Sequence, residues 1–408
     1  MRKPRQGPDG TPSWTPESIR ALTRRFLAEN DPRAMGPTEF LEARYDAGLS
    51  WIHFPPGSGG LGAPRSLQTV LDAELEAAGA ATDVLGIYMI GLGMAAPVLL
   101  AWGDEEQKQR FLRPLFARRE VWCQLFSEPG AGSDLAALST RAVPDPVTGD
   151  WIVNGQKVWT SHAHEADWGL LVARTDPAVP KHQGLTYFLV DMSAPGVDVR
   201  PLRQATGEAE FNEVFLTDVR VPDTHRLGAV GEGWKVAQTT LMNERVAIGA
   251  DTLPREGGMI GALTAAWREH PHLRTPGLHA ALLRHWVEAE ALRLTAERLR
   301  QQLVAGQPGP EGSAVKVAFA RVNQEISGLA LDFLGAEGLR YDDWTFRWPD
   351  PGQTFAERSF GYLYLRSKGL SIEGGTTEVL RNVIAERVLG LPQDTRTDKH
   401  TPWKDLPR

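Results

Sequence analysis

Apolar residues recur at three- and four-residue spacing in PESIRALTRRFLAE (16–29) and SLQTVLDAELEAAG (66–79), which predicts two amphipathic helices. Ser66 is the expected cap of the second, and the Pro/Gly-rich FPPGSGGLGAP (54–64) the turn between them. After residue 120 the pattern changes. DWIVNGQKVWTS (150–161), WGLLVART (168–175), GLTYFLVDM (184–192) and NEVFLTDVRVP (212–222) are short, rich in β-branched and aromatic residues, and bounded by turn formers. Asn154-Gly155 reads as a two-residue hairpin turn. Helical periodicity returns at GEGWKVAQTTLMNERVAIGA (231–250) and continues through two long segments, 278–306 and 313–335. Val379, Leu380, Val383, Ile384 and Val388 mark a last helix near 377–389, stopped by Gly390 and Pro392. The expected class is α+β: an N-terminal helical domain (1–120), an antiparallel β domain (121–228), a C-terminal helical bundle (229–392) and a loose polar tail (393–408).

One stretch changes this picture unless it is buried. Residues 84–102, VLGIYMIGLGMAAPVLLAW, carry no charge and are long enough to span a bilayer. Three glycines, a central Pro97 and acidic flanks at Asp83 and Asp104–Glu106 favour buried helices broken near the proline. The 408 residues are 42% apolar and 23% charged, as in soluble globular proteins. A net charge of −7 gives no footing for nucleic-acid binding. Cys123 is the single cysteine, which excludes an intrachain disulfide and a cysteine-based zinc site. The N-terminus, MRKPRQGPDGTPSWTPES, has no apolar segment of the signal-peptide kind, and a cytoplasmic location is expected.

Two motifs are weighed and set aside. Gly57, Gly59 and Gly62 satisfy G-x-G-x-x-G, but Pro55-Pro56 precede them and no βαβ unit surrounds them, so a nicotinamide-binding fold is disfavoured. His162 and His164 would share a strand face, yet no third ligand is indicated and no metal is expected. FSEPGAGSDLAAL (126–138) offers small hydroxyls and glycines suited to a polar cofactor edge, or else a helix start capped by Ser133 or Asp134. In QKVWTSHAHEADW (156–168), alternation puts Trp159 and Ser161 on one face, an aromatic plate beside a hydroxyl.

FSEPGAGSD, NGQKVWTS, GEAEFNEVFLTDVRVP (207–222), LMNER (241–245) and GGTTEVLRNVIAERVLGLP (374–392), in that order, resemble the acyl-CoA dehydrogenase family. The resemblance covers about residues 20–392. It implies that the β domain is a barrel and the C-terminal domain a four-helix bundle. It also implies FAD held between domains and subunits of a homotetramer, an acyl-CoA substrate, and an electron-transfer flavoprotein as acceptor. By matching position, Gln124, Phe126, Ser127, Ser133, Trp159, Thr160 and Ser161 line the flavin, and Thr376, Thr377 and Glu378 reach the FAD. Gly335 and Gly338, in LGAEG (334–338), match a glycine loop serving the partner subunit's cofactor. No counterpart of the family's pyrophosphate-binding Arg-x-x-Phe-Gly is found, and Arg274 is the candidate for that contact. Ser133, Arg245 and Gly375 are placed at the substrate.

The reaction implied is α,β-dehydrogenation, which needs a carboxylate to take the α proton and a donor for the enolate oxygen. Many members carry the base immediately before Gly-Thr. Here that position is Gly374, whose N–H is the implied donor, and Glu373 lies one residue early. The isovaleryl and long-chain branches place the base in an earlier helix before an arginine, matching Glu244-Arg245. Leu241 and Ile248 put Glu244 on an apolar stripe, unusual for a carboxylate without a partner or a task. Other readings remain: flavin oxidase or monooxygenase chemistry on a non-CoA substrate, or a non-catalytic partner subunit.

Overall fold

The computed structural model describes residues 14–80, 86–249, 254–304, 311–341, 344–349, 358–393 and 398–407; for 245–249 and 303–304 it describes the backbone alone. The N-terminal region holds α1 (Pro16–Glu29), α2 (Pro37–Asp46), α3 (Gln68–Ala77), α4 (Ala96–Trp102) and α5 (Glu105–Phe116). Thr15 starts α1 through a reciprocal pair of bonds with Ser18, and Asp104 starts α5 in the same way with Gln107. Ser66 does not cap α3: a short 3-10 turn at 65–67 precedes that helix, and Ser66 contributes only its carbonyl, to the Thr69 hydroxyl. The charge-free stretch is buried as expected but is not broken at Pro97: a π-turn at 91–95 runs directly into α4, whose first turn carries the proline, and Met94, Val98 and Leu99 enter the core. Among the described residues, no helix is long and apolar enough to cross a membrane.

Eight strands follow: β1 (Trp122–Leu125), β2 (Arg141–Pro144), β3 (Trp151–Ser161), β4 (Trp168–Arg174), β5 (Leu185–Asp191), β6 (Val197–Pro201), β7 (Phe211–Val221) and β8 (Arg226–Leu227). They form one sheet in the order β6-β7-β3-β2-β4-β5-β8, with β1 on β4. β4 is buried along its whole length. Leu170 and Val172 join a core with Phe111 and Leu115 of α5 and Trp122 of β1; Leu171 and Ala173 join one with Val153, Val214 and Val219 from β3 and β7. Cover on both faces explains why these strands read as continuous apolar runs.

Three expectations about this region are corrected. The sheet is mixed, because β1 runs parallel to β4 and β2 makes one parallel pairing with it. It is also not closed into a barrel. β8 is only two residues long, while β6 is an edge bearing Asp198, Arg200 and Pro201, groups that discourage pairing. Asn154-Gly155 is not a hairpin turn. It lies inside β3 at a register shift, where a Cβ on Gly155 would stand 2.2 Å from the Thr140 hydroxyl.

The C-terminal region contains α6 (Gly233–Gly249), α7 (Gly258–Glu269), α8 (Pro276–Val304), α9 (Gly312–Leu334), α10 (Phe360–Ser367) and α11 (Thr377–Val383). α7 to α10 share a core of Leu263, Leu282, Ile326, Phe333 and Leu363, with α9 at its centre. α6 instead sends Val236 and Ala237 into the core shared by the sheet and the N-terminal helices. Buried Glu208 joins the sheet to this region, paired with Arg347 and Arg358 and accepting the Tyr362 hydroxyl at 2.8 Å. The tail is not loose over residues 398–407. Asp398 pairs with Lys181 at 2.8 Å, Trp403 Nε1 donates to the Ala137 carbonyl at 3.0 Å, and Arg174 covers the Trp403 ring.

Candidate active site

β1 runs straight into the segment 126–133. The Val158 N–H donates to the Ser127 carbonyl at 2.9 Å and lays this segment along the end of β3. There β3 carries an extra residue: Lys157 stands opposite Val214, but Thr160 stands opposite Asn212. Trp159 takes the left-handed backbone region (φ 61°), and its indole is 59% exposed. For a bulky residue that conformation costs on the order of 1–3 kcal/mol, and the ladder on either side enforces it. The bulge breaks simple alternation. Lys157 and Val158 are both buried, Trp159 is outside, Thr160 is buried and Ser161 half-buried. Gln124 and Ser127 are half-buried, and Ser133 is exposed. Phe126 is buried with its ring edge-on to Tyr187, so it can offer a ligand backbone rather than an aromatic face. The alternative that Ser133 or Asp134 caps a helix is not realised. Only a 3-10 turn follows, with no side-chain cap, and Asp134 pairs with Lys181 at 2.6 Å.

Beneath this surface lies an ion pair that the sequence reading missed. Lys157 is fully buried, and its ammonium donates to Glu128 Oε1 (2.9 Å), the Phe126 carbonyl (3.0 Å) and the Val172 carbonyl (2.9 Å). Glu128 also accepts from the Ser139 N–H and hydroxyl and from the Thr140 N–H. Burial alone would raise the Glu128 carboxyl. The Lys157 charge and these donors outweigh it and hold it at about 2. The pair fastens FSEPGAGSD to NGQKVWTS. Its sequence signal was a lysine at a core-facing position of a strand.

On the helical side, α6 docks through Val236, Ala237 and Thr240, whose hydroxyl bonds the Tyr187 hydroxyl at 2.9 Å. Glu244 follows one turn after Thr240 and is half-buried. The side chains of Arg245 and Ile248 lie outside the described residues. Gly374 (φ 61°) and Gly375 (φ 94°) are consecutive left-handed residues, a path that glycine takes without strain. Thr376 then caps α11, accepting from the Val379 N–H at 3.2 Å; the Thr377 hydroxyl donates to the Ser371 carbonyl, and Glu378 is exposed.

Glu373 is held by Arg366 through both oxygens, at 2.9 and 3.1 Å. Arg366 also stands 3.4 Å from Glu210 and over the Phe211 ring, and Phe211 meets Trp159 edge-on at 5.9 Å. Glu373 therefore belongs to the join between the glycine turn and the sheet. A second missed residue, Lys316 on α9, donates to the Gly375 carbonyl at 2.6 Å, with Glu373, Glu244 and Glu378 within electrostatic reach. A lysine inside the apolar run AVKVAF (314–319) was its sequence signal.

Other candidates lie elsewhere. Gly335 stands at the far end of α9, nineteen residues beyond Lys316 and roughly 28 Å away at 1.5 Å per residue, and Gly338 lies in the 3-10 turn that follows. Both have local reasons: Gly335 (φ 59°) ends the helix, and a Cβ on Gly338 would stand 2.5 Å from the Leu331 carbonyl. Arg274 caps the end of α7, donating to the Trp267 and Arg268 carbonyls. His162, His164 and Glu165 bring their ligand atoms within 4.8 Å of one another, while His164 Nδ1 hydrogen-bonds Asn212 and its ring stacks on Trp348 at 3.9 Å.

Three family models match in succession: the acyl-CoA dehydrogenase N-terminal domain over residues 16–119, its middle domain over 123–219 and its C-terminal domain over 231–389. The chain belongs to the acyl-CoA dehydrogenase family. Acyl-CoA dehydrogenase FadE34 of Mycobacterium tuberculosis is 41% identical over 85% of this chain, which spans 45% of that protein's length. Acyl-CoA dehydrogenase IpdE1 of Mycolicibacterium smegmatis is 38% identical over 93% of this chain and 99% of its own. Among solved structures, the Tcur3481-Tcur3483 steroid ACAD aligns with a TM-score of 0.70 and 28% identity, over 93% of this chain and 98% of that one. The family is one of oxidoreductases and implies a flavin cofactor. The β side of the site fits such a group. It presents an outward-held indole beside small hydroxyl residues and a segment whose Gly130 and Gly132 face open space, with nothing within 4 Å of an added Cβ.

Proposed function

We propose that the protein is an FAD-dependent acyl-CoA dehydrogenase that takes the α proton of a bulky, ring-bearing acyl-CoA with Glu244. The observation that carries this is the pairing of roles at the glycine turn. Glu373 is committed to Arg366, whereas Glu244 ends the docked face of α6 near the Lys316 ammonium that holds Gly375. FAD, when bound, supplies the acceptor for the hydride that leaves Cβ. Trp159 and Ser161 flank it from β3, with Gln124, Phe126, Ser127, Ser133 and Thr160 around them. Thr376, Thr377 and Glu378 approach it from the start of α11. The Gly374 N–H receives the thioester oxygen as charge develops there, so the enolate forms against a fixed donor. Ser133, Arg245 and Gly375 stand along the acyl-CoA. Support for a ring-bearing acyl group comes from the steroid ACAD likeness.

The test is spectroscopic. The purified protein is expected to be yellow and to bleach anaerobically with cyclohexane-1-carbonyl-CoA or a steroid side-chain acyl-CoA faster than with butyryl- or palmitoyl-CoA. A colourless protein that FAD cannot reconstitute, or one that no acyl-CoA bleaches, ends this reading.

The assembly we propose is a homotetramer, with electron-transfer flavoprotein as the acceptor. α8 leaves Leu283, Val287 and Leu294 exposed at four- and seven-residue spacing, an apolar stripe suited to a second copy of the chain. Gly335 and Gly338, remote from the rest of the site, would then serve the neighbouring subunit's FAD. Light scattering at assay concentration should give four chains per particle, and full activity in a monomer refutes the arrangement.

A further inference from the structure

The geometry points to Lys316 as a positioning residue of the dehydrogenation site, one that ties the Gly374–Gly375 turn to α9 and sets the charge beside Glu244. This rests on the reading of Glu244 as the general base.

The tether comes first. Gly374 and Gly375 are both left-handed and bring no side chain with which to hold their turn. The Lys316 ammonium supplies that hold from outside, through a 2.6 Å charge-assisted bond to the Gly375 carbonyl. Because the peptide is planar and trans, directing this carbonyl at α9 turns the following N–H, that of Thr376, the opposite way. Thr376 then opens α11 with its own hydroxyl. One bond from α9 thus fixes the backbone on which the Gly374 N–H depends.

The charge comes second. Lys316 is half-buried and lines a cavity together with Gly374 and Leu380. Burial draws its ammonium below the usual value, opposed by Glu373, Glu244 and Glu378. The remaining charged groups on that cavity are matched. Glu290 pairs with Arg293 at 2.7 Å and Glu256 with Arg268 at 3.1 Å. Glu373 is taken by Arg366, and Glu378 is exposed to water. α6 packs against α9, which brings Glu244 within electrostatic reach of this ammonium, and a nearby cation favours a carboxylate's ionised form, the form a base needs.

The experiment compares Lys316→Met and Lys316→Arg holoenzymes with the acyl-CoA that bleaches the protein fastest. In Lys316→Met the acidic limb of the kcat/KM–pH profile should move up by about one pH unit, because the base loses its neighbouring cation. In Lys316→Arg the limb should stay in place. Hydrogen exchange gives a readout independent of turnover: amides in 373–379 should exchange faster in Lys316→Met and at the native rate in Lys316→Arg. Slower turnover in Lys316→Met with an unmoved limb reduces Lys316 to a structural role and overturns its part in setting the base. Unchanged exchange overturns the tether. If Glu244→Gln keeps full activity, the base assignment itself has failed, while the exchange arm still decides the tether.

Discussion

Glu244→Gln is expected to retain the flavin and the native fold while turnover falls by at least about 10²-fold and as much as about 10⁴-fold, the usual contribution of a positioned general base. The amide keeps the size of the side chain, so its half-buried place on α6 is still filled and the variable changed is the capacity to accept a proton. Anaerobic mixing with substrate should leave the absorbance of this variant unbleached. Glu373→Gln is the control. Its carboxylate is one residue from the turn, but both oxygens are engaged by Arg366, which in turn touches Glu210 and Phe211. Losing that charge loosens the join without removing a proton acceptor, so the expected cost is under about tenfold and bleaching should persist. A reversed pattern, with Glu373→Gln silent and Glu244→Gln active, would place the base at Glu373.

The same two glutamates show what the chain made legible. The order of helices, strands and helices followed from periodicity, because long segments such as 278–306 and 313–335 repeat at the helical period over many turns. The four segments read as strands from their β-branched and aromatic content are β3, β4, β5 and β7. The other four escaped. β1, β2, β6 and β8 have two to five residues each, too few for a pattern to register. Asn154-Gly155 misled because its local preference for a turn yields to tertiary pairing, the glycine being needed where Thr140 packs against β3. Trp159 was found, but the bulge that turns it outward depends on how β3 meets β7, which no local window contains. Lys316 and Lys157 were passed over for a shared reason. A lysine in an apolar run reads as an irregularity until its partners, 59 and 29 residues away, are known. The clamps from Glu208 and Glu210 to the C-terminal helices span still longer separations.

Lys157→Met should be the most destabilising single change in the β domain. Removing one member of a buried ion pair leaves the other charged and unsolvated, at a cost of ~3–5 kcal/mol. Here the loss goes further, because the ammonium also holds the carbonyls of Phe126 and Val172. The segment 126–133 is then no longer fixed against β3, so flavin should be lost at lower urea concentrations than those that unfold the helices. The pH dependence has a definite sign. Glu128 is held at about 2 in the folded protein, below the ordinary carboxyl range. Its contribution is therefore fully present above the unfolded carboxyl value, near 4–4.5, and is lost as pH falls from there toward 2. In Lys157→Met the carboxyl is no longer held low. Burial then favours its protonated form, and this share of the acid-side slope should vanish or reverse. Urea midpoints followed by flavin fluorescence from pH 7 down to 3.5 separate the two cases. A Lys157→Met protein with the native midpoint and the native acid slope would mean that Lys157 reaches Glu128 without stabilising the site, and that the β3 bulge is held by its ladder alone.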